Sequence, residues 1–293
     1  MAGTGGLANH YYKSMQHHSY GYALYEPAPF TRLRPGSLGY LDEHHRWRPI
    51  LDLLDSEALE RAGYSSLGDL RPAEPNVCRF GPKTSNNTTE TSIDLEAGVG
   101  AAAMGLPVDV NGALKFSTSS EFGAVLVCEN DVVEEGFDLR QPFNTWLENN
   151  AKALFKEYPE LKEHGLYAVM WTYSTTGIHL SVWNDKSNHA TVGVKVGVAG
   201  AGNIGPKTEY VRGQSSSGWT EWTDQKRVIF FTGVFMRTNL FGWAKIKKKK
   251  SGPDKETKRF NIEGDEGEES FRVFLEPVGN IEEAKAHSTD ESV

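Results

Sequence analysis

The glycine-rich run at residues 200–205 is the strongest candidate for enzyme chemistry. It reads Gly-Ala-Gly-Asn-Ile-Gly, which matches the glycine spacing of a dinucleotide-binding turn and follows a valine-rich strand pattern. That chemistry needs a helix that opens at the glycines and holds the pyrophosphate at its N-terminus. Pro206 and the polar run 213–218 follow instead, without the period of an apolar helix. We therefore interpret residues 200–205 as a hairpin tip and predict no cofactor.

Paired histidines are the next candidates, because imidazoles bind metals. The pairs are His17-His18 and His44-His45, and adjacent residues on a strand point to opposite faces. No cysteine or carboxylate spacing completes a metal site around them, and no strand-turn-helix setting activates a nucleophilic serine or cysteine. The sequence thus predicts no metal site and no enzyme. Cys78 and Cys128 are expected to be free thiols, with any redox role left open.

A lysine cluster near the C-terminus is the clearest binding motif, and its members are Lys245, Lys247, Lys248, Lys249 and Lys250. Residues 245–259 hold eight basic and two acidic residues, whereas residues 261–293 hold ten acidic and two basic ones. The cluster could serve as a nuclear signal, a solvated linker or a site for acidic lipid. We predict a folded domain over residues 1–244, a basic linker over 245–260 and an acidic tail over 261–293. The tail is expected to be flexible and is a candidate inhibitory segment.

Composition sets the background for these motifs. The 293 residues carry a net charge of −8, which argues against a polycation that binds nucleic acid. There is no secretory signal and no run of about 20 apolar residues, so we expect a soluble protein made in the cytoplasm. The chain is long enough for one sizeable core.

Hydrophobic periodicity predicts an α+β fold, a twisted and mostly antiparallel sheet with surrounding helices. Amphipathic helices are expected over residues 9–25 and 144–158, the second followed by Pro159. Extended segments are expected over 30–54, with breaks at Pro35-Gly36 and near Trp47-Arg-Pro49. Two long β-patterned regions, residues 78–133 and 166–236, flank the helix 144–158.

Within these regions, apolar and polar residues alternate in the manner of two-faced hairpin arms. The apolar positions that we single out are Ile93, Leu95, Val99, Val108, Val110, Leu114, Val192, Val194, Val196 and Val198. The runs 93–103, 108–116 and 190–198 approach the roughly 9–11 residues that a tilted membrane strand needs. They would also suit a soluble sheet with one solvated face, so alternation leaves both functions open.

The order of elements resembles the gasdermin pore-forming domain over about residues 10–240. Its early segment is similar to Phe30 through Trp47-Arg-Pro49, and a following element is similar to residues 64–70, Tyr-Ser-Ser-Leu-Gly-Asp-Leu. Its connecting helix and second hairpin are similar to residues 144–182, and its closing strand to residues 225–235. Mammalian members carry a C-terminal repressor domain, but here only a short tail follows, as in fungal gasdermin-like proteins of allorecognition and heterokaryon incompatibility.

The resemblance implies a cytoplasmic resting form that binds acidic phospholipids, assembles into a ring and permeabilises the plasma membrane in regulated cell death. Two extension hairpins would refold into a membrane β-barrel. The lipids would be phosphatidylserine, phosphoinositides or cardiolipin, and the oligomer would contain identical copies or an incompatible variant. An activating protease would cut near 250–266, with Phe260 as the candidate site. The residues that the resemblance implies in lipid contact are Lys13, Leu59, Arg61, Lys152 and Lys156, and the lysine cluster joins them as a candidate on its charge. The alternative is a soluble β-rich binding or scaffold protein without membrane insertion.

Overall fold

The structure is a computed structural model that describes residues 4–68, 70–95, 100–198, 206–240, 257–263 and 270–279. Its helices are α1 (Thr4–Met15), α2 (Ser56–Arg61), α3 (Gln141–Glu157) and α4 (Leu161–His164). Its strands are β1 (Tyr22–Pro29), β2 (Ser37–Leu41), β3 (Trp47–Asp52), β4 (Asn76–Cys78), β5 (Lys83–Thr84), β6 (Thr88–Asp94), β7 (Gly112–Thr118), β8 (Gly123–Cys128), β9 (Val132–Gly136), β10 (Leu166–Thr175), β11 (Ile178–Trp183), β12 (His189–Val198), β13 (Pro206–Ser215), β14 (Thr220–Trp222), β15 (Arg227–Leu240), β16 (Lys258–Ile262) and β17 (Phe271–Val278).

The strands form three sheets. The proximal sheet has nine strands in the order β16-β17-β15-β10-β2-β3, with β1 also paired to β15, and with β9 paired to both β10 and β4. The middle sheet has the order β14-β11-β8-β5, and the distal sheet has the order β13-β12-β7-β6. Every strand pair within the described ranges is antiparallel. The predicted α+β class with mostly antiparallel strands is confirmed.

Helix α3 covers one face of the proximal sheet. Pro142 suits its first turn, where a missing N–H leaves no helical hydrogen bond unmade. Its buried side chains recur every three or four residues and are Phe143, Trp146, Leu147, Ala151, Leu154 and Phe155. They join one cluster with the sheet residues Met170 and Val234, and each large side chain stabilises the fold by roughly 1.5–3 kcal/mol. The helix predicted over 144–158 is confirmed, with a start three residues earlier.

The opposite face of the proximal sheet carries an aromatic cluster. Phe231 of β15 is fully buried and lies beside the rings of Tyr22, Trp47 and Tyr167. Residues 167 and 169 of β10 point to this cluster, whereas 168 and 170 point toward α3, as the two-residue period of a strand requires. The proximal sheet is therefore buried on both faces.

Two predictions near the N-terminus are wrong in part. The helix predicted over 9–25 ends at Met15, because Ser19 adopts a left-handed backbone (φ 58°) and β1 begins at Tyr22. The break expected near Trp47-Arg-Pro49 lies just before these residues, in the turn 42–46 between β2 and β3, and Trp47 to Pro49 themselves begin β3. Proline is tolerated there because β3 is the last strand of its sheet, where a missing N–H removes no hydrogen bond from a central ladder.

Two further predictions fail for backbone reasons. The arm expected over 93–103 stops at Asp94, and the arm expected over 108–116 begins only at Gly112. Between them, Gly100 and Gly105 adopt positive φ values of 94° and 67°, and Ala102–Met104 form a 3₁₀ turn. The run Gly-Ala-Ala-Ala at residues 100–103 has a low preference for strands, and residues 108–109 form a turn.

The acidic tail is also more ordered than predicted. Strand β17 pairs with β15 from Gly233↔Val278 to Leu240↔Phe271, and β16 pairs with β17. Phe271, Val273 and Leu275 alternate into the α3 cluster, and this period of two overrides the acidic composition. Residues 258–262 and 271–278 thus extend the proximal sheet. Most of the predicted linker and the end of the tail lie outside the described residues.

Candidate functional site

The three sheets share one strand order, so their strands line up as four continuous strand paths. Path 1 is β4-β5-β6, path 2 is β7-β8-β9, path 3 is β10-β11-β12 and path 4 is β13-β14-β15. Paths 1 and 2 pair in all three sheets, as do paths 2 and 3, and paths 3 and 4. The chain therefore builds two long hairpins, side by side, that run through all three sheets.

Each path is interrupted at two matching levels. The proximal bend, between the proximal and middle sheets, lies at residues 79–82, 129–131, 176–177 and 223–226 of paths 1 to 4. The distal bend, between the middle and distal sheets, lies at residues 85–87, 119–122, 184–188 and 216–219. Because the interruptions coincide across the paths, they divide the hairpins into three aligned sections.

The distal sheet is covered by residues 100–111, here termed the cover segment. Its side chains Ala101, Leu106 and Val110 form a small buried cluster with Ala113 of β7. Gly193 of β12 lies beneath this cluster, where a side chain would crowd Leu106 and Val110. The other face of the distal sheet packs Phe116 and Val192 against the middle-sheet residues Val125, Val127 and Trp183.

Three polar contacts fasten the cover segment to β12. Lys195 Nζ donates to Asp109 Oδ2 at 2.7 Å, and this bond holds the pKa of Asp109 below its usual value. The backbone N–H of Asn111 donates to Val194 O at 2.9 Å, and the Asn111 side chain accepts from the N–H of Val196 at 2.8 Å. The cover segment is therefore held by exposed polar bonds around a small apolar cluster.

A buried histidine joins three paths in the middle sheet. His179 of β11 is 3% exposed; its Nε2 lies 2.8 Å from Glu129 Oε1 and its Nδ1 lies 3.9 Å from Glu221 Oε2. Burial lowers the pKa of His179, and Glu129 opposes that effect. Arg212 of β13 pairs with Glu221 at 2.8 Å and so spans the distal bend of path 4.

The outer edges of the strand paths are partly covered. On path 1, the N–H of Asn86 donates to Ser14 O at 3.0 Å, and His18 Nε2 lies 2.8 Å from Thr84 O. Burial, with a smaller effect of nearby His17, lowers the pKa of His18 to about 4. On path 4, β1 and β17 pair with successive parts of β15. Within the described ranges, no strand pairs with the outer edge of β6 or β13.

The hairpin residues predicted from alternation divide into four groups. Val192 is buried and Val194, Leu114 and Ile93 are half-buried, whereas Val196 is 52% exposed. Leu95 and Val110 are buried beside the cover segment instead of lying on a strand, and Val108 is 78% exposed in a turn. Val198 ends β12, and Val99 and the tip 200–205 lie outside the described residues.

The residues implied in lipid contact are scattered. Lys13 on α1, Arg61 on α2, and Lys152 and Lys156 on α3 are exposed. Leu59 is fully buried in the α3 cluster, so its side chain would reach lipid only after a change of conformation, and its implied lipid contact stays a prediction. Phe260 lies within β16, where backbone pairing opposes the extended fit that a protease requires. The lysine cluster 245–250 lies outside the described residues.

Sequence reasoning missed an arginine-lined pocket beside the proximal bend. Arg32, Arg46, Arg48 and Arg227 line it, together with Trp47 and Trp222. These residues come from four separate parts of the chain, so no local motif points to them. Only the fold brings them together.

The described part of the chain was also searched for metal sites and for helices that could span a membrane. It contains no group of three or more His, Cys, Asp or Glu side chains placed to hold a metal. None of its helices combines the length and the apolar content that crossing a bilayer would demand. The chain matches no protein-family model, and a search of curated proteins finds no match either.

Proposed function

We propose that this protein forms pores: it binds acidic lipid, assembles with further copies and inserts its two long hairpins into the membrane. The observation that carries the proposal is the shared strand order of the three sheets. Two adjacent hairpins that bend twice at matching levels could straighten without exchanging any strand partner. The resemblance to the gasdermin pore-forming domain gives separate support, and it remains part of the proposal.

Strand direction favours assembly from identical copies. Paths 1 and 3 run toward the distal sheet, and paths 2 and 4 run back. Path 1 of one copy would therefore lie antiparallel to path 4 of the next, so each added copy extends the same ladder. A membrane-spanning sheet has to close on itself, because hydrocarbon offers no partner for edge amides.

Strand length and side-chain size are compatible with insertion. Strands β12 and β13 have 10 residues each, close to the roughly 9–11 that a tilted membrane strand needs. Strands β6 and β7 have 7 each, so path 1 and path 2 would recruit residues from the chain that joins them, which includes the cover segment. The valines of β12 share one face, and glycines and a lysine share the other.

Insertion would first require uncovered edges, and the C-terminal strands occupy one of them. Strand β17 covers β15 from Gly233 to Leu240, which is the part of path 4 that a neighbouring copy would otherwise meet. We propose that displacement or removal of β16 and β17 activates assembly. The restraint would then be a strand pairing, in addition to the electrostatic restraint inferred from the charge of the tail.

The deciding experiment is dye release from vesicles that contain phosphatidylserine, with matched substitutions of two exposed valines. Val196→Asp alters the distal sheet, and Val77→Asp alters β4 in the proximal sheet; the two side chains are 52% and 61% exposed. A charge on a lipid-facing strand costs roughly 2–4 kcal/mol per copy near mid-bilayer, so Val196→Asp should abolish release and Val77→Asp should not. Equal release from both variants would exclude insertion of β12.

The restraint is tested with a reversible tether and a truncation. Thr238 and Val273 lie directly opposite in the β15–β17 ladder, so Thr238→Cys with Val273→Cys should form a disulfide. The oxidised protein should release no dye, and reductant should restore release; each single variant serves as control. Truncation before Asn261 should increase release. If oxidation leaves release unchanged, the strand-pair restraint is wrong, although pore formation would stand.

The alternative, a soluble β-rich binding or scaffold protein, has one observation in its favour. Both faces of the distal sheet already contact apolar clusters, as expected of a sheet that stays in place. This function predicts a monomer that releases no dye with any lipid, before or after truncation. Electron microscopy of treated vesicles distinguishes the two, since only the pore forms annular particles.

A further inference from the structure

We infer that the arginine-lined pocket beside the proximal bend is a binding site for a phosphoryl group. The pocket has a volume of about 170 Å³ and is formed by β1, β3, β14 and β15 with the turn after β1. Its size suits a phosphorylated headgroup more than a large ligand, since drug-sized ligands occupy roughly 300–1,000 Å³. The inference does not depend on pore formation.

Charge favours an anion in this pocket. Arg46 pairs with Glu26, Arg48 with Asp42 and Arg227 with Asp224, so these three guanidinium groups are neutralised locally. Within the described part of the chain, the Arg32 guanidinium forms no ion pair, and its charge is the excess at the site. Arg32 is exposed at the pocket, where it can move onto a ligand.

The paired arginines are held in fixed orientations and keep donors for a ligand. Arg46 uses Nε and Nη2 on Glu26, both at 2.9 Å, and Arg48 uses Nε and Nη2 on Asp42. Each therefore retains Nη1 for another acceptor. Planar guanidinium groups with free N–H groups suit the oxygens of phosphate, which accept several charge-assisted hydrogen bonds at once.

The remaining walls consist of the Glu26 carboxylate, which is paired with Arg46, and of apolar side chains. Trp47 and Trp222 supply apolar surface, which limits water and strengthens the attraction between the arginines and an anion. Trp47 is fixed by its own N–H, which donates to Arg32 O at 2.8 Å. That bond also sets the backbone position from which the Arg32 side chain extends.

The pocket touches both sides of the proximal bend. Trp222 ends β14 and Arg227 begins β15, so residues 223–226 of path 4 connect two walls of the same site. Arg227 is further tied to β1, because its Nη1 donates to Pro27 O at 3.1 Å. A ligand that contacts both walls binds the bent conformation, and should therefore raise the melting temperature.

Calorimetry and thermal unfolding with inorganic pyrophosphate test the site. We expect binding by the wild type, and weakening of about tenfold or more in Arg32→Gln because a charged hydrogen bond is lost. Arg46→Gln provides a second variant at the pocket. Arg71→Gln, an exposed arginine between α2 and β4, is the matched control and should bind as the wild type does. No binding up to about 1 mM, or equal binding by Arg32→Gln, would overturn the inference.

Vesicle flotation identifies the source of the phosphoryl group. Vesicles of phosphatidylcholine with phosphatidylinositol 4,5-bisphosphate are compared with vesicles of phosphatidylcholine alone. If Arg32→Gln loses both pyrophosphate binding and flotation, the ligand is a lipid headgroup. If it loses pyrophosphate binding but still floats, the site takes a soluble phosphorylated molecule. Both results support the pocket, and neither requires dye release.

Discussion

The same four strand paths are stabilised by different side chains at their two ends. In the proximal sheet, large rings such as Phe231 and Trp47 fill one face, and α3 fills the other. In the distal sheet, the face beneath the cover segment presents Ala113 and Gly193 to Leu106 and Val110, and that segment is held by exposed polar bonds. Apolar burial is the main favourable term in folding, so the proximal sheet should open at a much higher free energy than the distal sheet.

The largest expected effect comes from removing one buried ring at each end. Phe231 and Phe116 are both fully buried, in the proximal and distal sheets respectively. Phe231→Ala should lower the free energy of unfolding by about 3–5 kcal/mol. Phe116→Ala should lower it by about 2–3 kcal/mol, because a sheet that opens locally can relax around the cavity.

Denaturant unfolding measures these losses, and amide hydrogen exchange shows where they act. Phe116→Ala should reduce protection of β7 and β12 while β10 and β15 stay protected. Phe231→Ala should reduce protection throughout the chain. Equal losses with uniform exchange in both variants would mean that the two ends unfold as one cooperative unit, and the comparison would fail.

A pair of glycines tests the same difference by overpacking. At Gly233 in β15, a methyl group would meet the backbone of Ala168 and lie 3.0 Å from Met170 N. At Gly193 in β12, it would meet only the side-chain ends of Leu106 and Val110, at 2.8 and 3.1 Å. Gly233→Ala should therefore cost about 2–3 kcal/mol, and Gly193→Ala less than about 1 kcal/mol.

Of these two glycine substitutions, the one that costs less stability should be the one that increases dye release. Gly193→Ala displaces the cover segment, so it should increase dye release if pore formation is correct. Gly233→Ala weakens the sheet that anchors the hairpins, so it should reduce release together with the yield of folded protein. A Gly193→Ala variant with unchanged release and faster exchange at Ala113 would separate opening of the cover from insertion.

The sequence predicted those elements whose pattern is local. Helix α3 has a clear period of 3.6 carried by large side chains, and β12 alternates valine with glycine or lysine, whereas β10 is buried at almost every position. The strand predictions over 93–103 and 108–116 each run into the cover segment, because small side chains fit both conformations, whereas Gly100 and Gly105 adopt the positive φ of a turn. Strands β16 and β17 were missed because acidic residues outnumber the alternating apolar ones.

The site was less predictable, because it depends on long-range pairing. No local signal reveals that β8 pairs with β11, or that the three sheets have one order. The arginine pocket joins residues as far apart in the chain as Arg32 and Arg227, so no local pattern could reveal it. By contrast, strand alternation is a local property, and it places Val192, Val194 and Val196 of β12 on the same face.

His18, which joins the region after α1 to path 1, gives the next effect, a dependence of stability on pH. Burial lowers the pKa of His18 to about 4, so the unfolded chain takes up its proton near pH 6.5 and the folded chain does not. Stability from this group is therefore complete above pH 6.5 and is lost as the pH falls toward 4. At pH 5, the loss should be roughly 1–2 kcal/mol.

Substitution isolates this contribution from those of other histidines. His18→Gln can still donate to Thr84 O, so it should keep the contact between the α1 region and path 1 but remove part of the acid sensitivity. His44→Gln, at an exposed histidine between β2 and β3, is the matched control. The groups that face His18 are His17 and Lys83, and the interaction with each of them lowers the pKa of His18. Identical pH profiles of stability for His18→Gln and the wild type would contradict the assignment.

The smallest expected effect is a change in the rate at which the two cysteines are chemically modified. Cys128 at the end of β8 is buried, which raises the pKa of its thiol to about 12, whereas Cys78 is half-buried. The thiolate is the reactive form, so iodoacetamide at pH 8 should modify Cys78 first and Cys128 only after opening of the proximal bend.

Gly193→Ala should leave the rate of Cys128 modification unchanged, because the distal sheet opens independently. Gly233→Ala should increase that rate. Faster labelling of Cys128 in Gly193→Ala would show that loosening the distal sheet also opens the proximal bend, and the stability difference between the two ends would then be one of degree.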